Sequence, residues 1–295
     1  MRLLLFGGSG QLGSDLAIVA AERGHELITP SHREVEVEDT ASVEAVVAAC
    51  APDAVINAAA FHKTEWCEDD PGQAFAVNVT GARNVALASA AAGAPSMYVS
   101  SDYVFDGERA EGYVESDPAR PVNVYGVSKA AGEYVVRLAD RRSLVVRGSG
   151  LFGHAGSSGK GGNFIETMLA KAEAGDSMTV VDDLTFSPSS TRDMAGRMCD
   201  LLELEAPGGI YHVTNSGSCS WFEFAAEIFR QAGLSPSLAP RSAADDEVRR
   251  PRYSILLDTA SAAVGMEPAR PWQEAVGWYL SERGAVARER ASAAR

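Results

Sequence analysis

Leu3-Leu4-Leu5-Phe6-Gly7-Gly8-Ser9-Gly10-Gln11-Leu12-Gly13 is the stretch that decides the fold of this chain. Four consecutive apolar residues make a strand with no face suited to water, as in a parallel sheet covered on both sides. The glycines that follow satisfy G-x-G-x-x-G from Gly8 and G-x-x-G-x-x-G from Gly7. Glycine permits the tight turn and lets backbone amides approach a pyrophosphate; at Gly13 it lets the helix pack closely on the strand. A strand, this turn and then a helix predict a dinucleotide site formed by Gly7, Gly10, Gln11, Leu12 and Gly13.

Working outward, short apolar runs alternate with helical stretches. Leu3 to Phe6, Glu26 to Thr29, Ala54 to Asn57, Met97 to Ser100 and Leu144 to Arg147 read as strands. Leu12 to Arg23, Ser42 to Cys50, Gln73 to Ala92 and Val124 to Ala139 read as helices, with Gly24 and Gly93 at C-terminal cap positions. This repetition predicts an α/β fold, a doubly wound parallel sheet of the Rossmann type, over residues 1–150. Beyond it the rhythm loosens. Gly150 to Gly162 carries six glycines in thirteen positions and reads as a mobile loop beside a site or as a linker. Helices are expected at Asn163 to Ala174, Asp193 to Leu204, Trp221 to Gln231 and Trp272 to Ser281, and a strand at Gly209 to Val213. Residues 151–285 thus form a smaller α/β substrate lid, with segments from about 177–232 returning to the first domain, and 286–295 form a frayed tail. Trp221, Phe222, Phe224 and Phe229 recur at helical spacing and read as core.

Composition narrows the function. The 295 residues hold 26 Lys and Arg against 40 Asp and Glu, a net charge of −14. Such a surface repels nucleic-acid backbones and anionic lipid, so neither is an expected partner. No apolar run reaches the roughly 18 residues of a membrane span, and the apolar stretch after Met1-Arg2 is too short for a secretory signal. Cys50, Cys67, Cys199 and Cys219 are scattered, without metal-ligand spacing, and read as reduced thiols of a cytoplasmic protein. No metal motif is present, and the need for Mg²⁺ is left open.

Two further patterns carry chemistry. After the second strand the chain runs Pro30-Ser31-His32-Arg33 with no carboxylate before Glu34. Ser31 and Arg33 suit the 2′-phosphate of NADPH better than the bare ribose of NADH, although NADH is not excluded. Tyr125 and Lys129 stand four residues apart, on one helical face. An ammonium beside a phenol lowers its pKa, so the tyrosine can exchange a proton with a carbonyl oxygen during hydride transfer. Ser101 closes a predicted strand at the sheet edge where α/β sites lie and could hold the same oxygen.

The glycine turn, Asn57-Ala58-Ala59-Ala60, Ser101 and the Tyr125/Lys129 pair together resemble the extended short-chain dehydrogenase/reductases. Within them, Ser100-Ser101-Asp102-Tyr103-Val104-Phe105-Asp106-Gly107, Pro121 to Gly126, Lys129 to Glu133, Asn163-Phe164 and Ser187-Pro188 resemble the dTDP-4-dehydrorhamnose reductases over roughly residues 1–280. The resemblance implies a catalytic trio of Ser101, Tyr125 and Lys129, with Lys129 also on the nicotinamide ribose. It adds Ala58, Ala59 and Ala60 to the cofactor site, and Tyr103 and Asn163 to the substrate site. It further implies a ketone reductase, since related 4,6-dehydratases carry Asp-Glu where this chain has Asp102-Tyr103. Two departures fall in the substrate pocket. Phe61-His62-Lys63-Thr64-Glu65-Trp66 replaces the family's usual Thr, Val and Asp, which makes His62 a substrate candidate, and Gly150 stands where a tryptophan is common.

Arg249-Arg250-Pro251-Arg252 is a dense cationic cluster in an anionic chain, suited to a diphosphate; the family's Arg-Pro pattern falls on Arg250. The expected activity is NADPH-dependent reduction of a nucleotide-activated 4-keto-6-deoxy sugar, dTDP-4-dehydro-L-rhamnose first among them, by a possible homodimer. The alternatives are an NADP-binding regulatory subunit without turnover, like the methionine adenosyltransferase β-subunit, and a nucleotide-sugar epimerase.

Overall fold

A computed structural model of the chain describes residues 1–155, 162–244 and 248–293, with 284–293 by backbone alone. In chain order its first half comprises β1 (Arg2–Phe6), α1 (Gln11–Glu22), β2 (Glu26–Ile28), α2 (Thr40–Cys50), β3 (Ala54–Asn57), α3 (Thr64–Asp69), α4 (Pro71–Phe75), α5 (Ala82–Ala91), β4 (Ser96–Ser101), α6 (Val124–Ala139) and β5 (Leu144–Gly148). The second half comprises β6 (Leu151–Phe152), α7 (Phe164–Glu173), β7 (Met178–Val181), β8 (Thr185–Phe186), β9 (Ser189–Ser190), α8 (Thr191–Glu203), β10 (Gly209–His212), β11 (Cys219–Ser220), α9 (Trp221–Ala232), β12 (Leu238–Arg241), β13 (Tyr253–Ser254) and α10 (Trp272–Ala293).

Six parallel strands form the main sheet in the order β10-β5-β4-β3-β1-β2. Alternate residues of β1 serve opposite faces. Leu3 and Leu5 pack with Leu16 and Val19 of α1 and with Met194 and Met198 of α8. Leu4 and Phe6 pack with Val43 and Val47 of α2 and with Val85 of α5. Both faces are therefore dry, which is why the run is uniformly apolar. The strand order reverses between β1 and β3, so a crevice opens at their C-terminal ends.

The second layer holds a three-stranded sheet, β11-β8-β13, a β12-β7 pair and a β6-β9 pair. Its core joins Phe152, Phe186, Phe224, Trp272 and Tyr279. Trp221 stacks on Phe186 with ring centroids 4.0 Å apart, and Phe224 and Phe229 are buried, so the aromatic run of α9 is core.

The structure changes three expectations. The helix expected over Gln73 to Ala92 is broken into α4, a π-helical turn at Ala76–Gly81, and α5. Of the 177–232 stretch, β10 and α8 return to the main sheet, whereas β7, β8 and α9 stay with the second layer. The frayed tail is instead helical, since α10 continues to Ala293. Of the glycine-rich loop, residues 156–161 lie outside the described residues.

Candidate active site

The cofactor cradle is built by close approach of backbones. A Cβ on Gly7, whose φ is +86°, would lie 2.6 Å from the Ala58 carbonyl carbon and the Ala59 nitrogen; one on Gly13 would lie 2.6 Å from Gly8 Cα. Gly10 is different: the nearest atom to an added Cβ is Gly7 O at 3.6 Å. Gly10 also begins α1 without any side-chain cap, which leaves amides of the first turn for an anion. Gln11 Nε2 donates to Leu151 O at 3.3 Å, while Gln11 Oε1 and Asn57 Nδ2 are buried without a partner among the described residues. Ala58 N donates to Phe6 O at 2.9 Å and Ala59 N to Asn57 Oδ1 at 3.1 Å, which locks the 58–60 segment beside the turn. A narrow turn, an uncapped helix start and two orphaned amide groups fit a dinucleotide. At the end of β2, Ser31 and Arg33 are exposed; Ser31 gives its backbone N–H and its hydroxyl to Glu34 Oε2, both at 2.7 Å. The carboxylate that the sequence places late thus folds back over Ser31.

The catalytic side chains meet at the C-terminal end of β4. Ser101 ends that strand, and Tyr125 and Lys129 rise from α6, whose N-terminus is capped by Asn123 Oδ1 accepting from Gly126 N at 2.8 Å. The Ser101 hydroxyl donates to Asp102 Oδ1 at 2.8 Å and accepts from Tyr103 N at 3.2 Å, and it pulls the pKa of the Tyr125 phenol down. Tyr103 sits edge-on to Tyr125, with ring centroids 5.8 Å apart. Lys129 is buried; its Nζ donates to Val99 O at 2.7 Å and lies 4.1 Å over the Tyr98 ring.

Burial sets the charges around the pair. Burial pulls Lys129 down to about 7, against a smaller upward pull from Glu133. Burial pushes the Tyr125 phenol above its usual value; the Ser101 hydroxyl opposes this, and Asp102 adds to it. Lys129 Nζ is directed to Val99 O and the Tyr98 ring.

The substrate side is crossed by the 249–252 segment. Asn123 Nδ2 donates to Arg249 O at 2.9 Å, and Tyr253 N to Gly107 O at 3.1 Å. Gly107, with φ +79°, has no room for a Cβ, which would lie 2.4 Å from Arg252 N. The guanidinium of Arg250 pairs with Glu65 and hydrogen-bonds Tyr103. His62, half-buried, lies between β3 and α3. Asn163 is engaged within the second layer. Its Oδ1 caps α7 by accepting from Glu166 N, and its Nδ2 donates to Gly153 O and Tyr279 Oη. All three hydrogen-bonding capacities used there are structural.

Three contributors escaped the sequence reading. Asn78, in the π-helical turn, joins both backbone groups of Phe61 to the Ser128 hydroxyl, each at 2.9 Å, and so ties α6 to the 58–63 segment. Glu68 Oε1 accepts from Val124 N at 2.8 Å at the start of α6. Asp102 accepts the Ser101 hydroxyl at 2.8 Å. An asparagine inside a long helical pattern, Asn78-Val79-Thr80-Gly81, was the available signal for the first.

A six-stranded doubly wound sheet with a glycine turn at its switch point and a Ser-Tyr-Lys cluster on β4 and α6 defines an extended short-chain dehydrogenase/reductase. The model of the RmlD substrate binding domain family matches residues 1–284. Spore coat polysaccharide biosynthesis protein SpsK of Bacillus subtilis is 38% identical over 97% of this chain and 99% of its own length. The dTDP-4-dehydrorhamnose reductase of Streptomyces griseus is 36% identical over 93% of this chain and 91% of its own length. The structure of the Bacillus anthracis dTDP-4-dehydrorhamnose reductase in complex with NADP superimposes with a TM-score of 0.90 at 34% identity, covering 95% of this chain and 99% of that one. The chain belongs to the dTDP-4-dehydrorhamnose reductase family, and so to the NAD(P)H-dependent ketoreductases.

Proposed function

We propose that this chain uses NADPH to reduce the 4-keto group of a nucleotide-activated 6-deoxy sugar, with dTDP-4-dehydro-L-rhamnose as the first substrate and dTDP-L-rhamnose as its product. The observation that supports the reading is Ser101 at the end of β4 with Tyr125 and Lys129 on α6, at the sheet edge next to the glycine turn. A ketone accepting hydride at carbon needs a proton at oxygen, and a phenol that holds its proton is a donor for it. The Asp102-Tyr103-Val104-Phe105 run disfavours an epimerase.

The chemistry supplied by bound NADPH is hydride donation. Its pyrophosphate would be held by the amides around Gly10, Gln11 and Leu12, with Gly7 and Gly13 keeping the turn tight, and Ser31 and Arg33 would read the 2′-phosphate. Tyr125 delivers the proton to the carbonyl oxygen, and Ser101 orients the phenol. Lys129, held by Val99 O, would carry the nicotinamide ribose. Tyr103 and His62 line the sugar side, and Arg250 offers a guanidinium to the diphosphate, exchanging Glu65 for phosphate oxygens.

The names of the curated relatives support this substrate class. The test is a panel of dTDP-, UDP- and GDP-linked 4-ketosugars with the purified chain alone, followed by NADPH absorbance. The expected result is turnover with the dTDP-ketosugar at the highest kcat/KM. Absence of NADPH consumption with every ketosugar would support the non-catalytic regulatory reading instead.

A further inference from the structure

Two carboxylates of α3 reach neighbouring segments at the substrate side. Glu68 Oε1 accepts from Val124 N at 2.8 Å and so serves the start of α6. Glu65, three residues earlier, pairs instead with the Arg250 guanidinium on the 249–252 segment. The two ends of this ion pair are held very differently. The segment that carries Arg250 is fixed by its backbone. Asn123 Nδ2 donates to Arg249 O at 2.9 Å, and Tyr253 N donates to Gly107 O at 3.1 Å. Gly107 packs so closely on the segment that a Cβ there would lie 2.5 Å from Pro251 Cα. Arg250 Nη2 also lies 3.5 Å from Thr64 Oγ1, and the Arg250 side chain is only 25% exposed. The Glu65 side chain is 54% exposed. Arg250 therefore keeps its place without Glu65, and the carboxylate is an occupant of the guanidinium rather than its support.

We propose that Glu65 is an internal stand-in for the substrate's phosphate: it fills the anion position at Arg250 in the free enzyme, is displaced by the diphosphate, and so decides which anions the site admits. A carboxylate presents oxygen acceptors and negative charge to a guanidinium much as a phosphate does. Tethered on α3, it competes at a high effective concentration that a dissolved anion has to exceed. An inorganic phosphate has only its own charge with which to do so. A nucleotide sugar brings two linked phosphates together with its base and sugar contacts, and it displaces Glu65 where the free ion does not. Once the diphosphate is seated, Glu65 stands near it as a like charge, which lowers affinity for every anion and removes the weak ones first. The inference rests on the reading of Arg250 as the diphosphate ligand.

The experiment measures the sugar-nucleotide KM, kcat and the inhibition constant of inorganic phosphate in the unaltered enzyme and four variants. These are Glu65→Gln, Glu65→Ala, Arg250→Ala and the double variant Glu65→Gln/Arg250→Ala. Glutamine keeps the shape of Glu65 and drops its charge, whereas alanine removes the competing oxygens as well. Each is expected to lower the sugar-nucleotide KM by about threefold or more, the scale of a half-exposed ion pair. The inhibition constant of phosphate should fall by a larger factor, and the change should lie in KM rather than kcat. With Arg250 already alanine, Glu65→Gln is expected to lose most of this gain, since the two residues act through one contact. A KM unchanged or raised in both Glu65 variants would overturn the proposal, and a raised value would make Glu65 a support for Arg250. A gain of equal size with and without Arg250 would overturn it too. If Arg250→Ala alone leaves the KM at its original value, the underlying reading of Arg250 fails instead.

Discussion

Arg250 meets the Glu65 carboxylate, the Thr64 hydroxyl and the Tyr103 hydroxyl. Glu65 is half exposed, so the pair is weakly held and its exchange for a phosphate costs little. Tyr103 in turn leans on Tyr125, which puts the guanidinium one side chain from the reacting oxygen. Truncation of Arg250 to alanine is expected to raise the sugar-nucleotide KM by one to two powers of ten, the scale of a charge-assisted hydrogen bond worth about 1.5–3 kcal/mol. NADPH affinity should not change. Steady-state constants for both substrates check this, and an unaltered sugar KM would return Arg250 to a purely structural pairing with Glu65. At this scale residue identity was legible but environment was not. Y-x-x-x-K spacing brings Tyr125 and Lys129 to one face; that Lys129 spends its ammonium on Val99 O and the Tyr98 ring depends on burial by a strand distant in sequence. Asn163 shows the same gap, since its three partners include Tyr279 from the far end of the chain.

The glycine turn divides into glycines needed by the fold and one needed by the ligand. Gly7 and Gly13 face backbone within 2.6 Å and cannot take a methyl group without moving the turn; a methyl on Gly10 would make only an ordinary contact with Gly7 O at 3.6 Å. Gly10→Ala is therefore expected to keep the thermal midpoint of the parent and to weaken NADPH binding by about tenfold or more, since the methyl stands where a pyrophosphate must approach the amides. Gly13→Ala should lower both stability and affinity. Thermal melts with NADPH fluorescence titrations separate the two; unchanged binding in Gly10→Ala would move the pyrophosphate away from this turn. The turn, its strand and its helix were all readable, because tight turns impose residue types directly. The π-helical turn at Ala76–Gly81 was not, because it exists to aim Asn78 at Phe61 and Ser128 and to pack Gly81 against Val37, contacts no local pattern encodes. Gly150 is a further case: its φ is +50° and an added Cβ would strike the Phe186 ring at 2.1 Å, so the tryptophan common in the family has no room here.

Across the whole molecule, two buried polar systems join the sheet to the second layer. In one, Arg147 on β5 forms a two-pronged pair with Glu133 on α6, and His212 on β10 lies between Arg147 and Leu257 O. Burial pulls His212 down to about 4, so it stays neutral at physiological pH. In the other, Asp102 gathers hydroxyls from β4, from the end of β5 and from β13. The main sheet was legible in its first five strands because each carries a short apolar run, although β2 is exposed or half-buried. The second layer was legible only as separate helices, since its two-residue strands carry no periodicity and are defined by what they pack against. The claim that all of this serves is that the chain moves a hydride from a nicotinamide to a sugar ketone. The most direct measurement is turnover of a dTDP-4-keto-6-deoxysugar by the purified chain with NADPH deuterated at both nicotinamide C4 positions. The account predicts one deuterium at C4 of the product sugar, and none in the same incubation with Tyr125→Phe over the same interval. A protein that binds NADPH yet returns the ketosugar unreduced, or a product with no deuterium at C4, would contradict it.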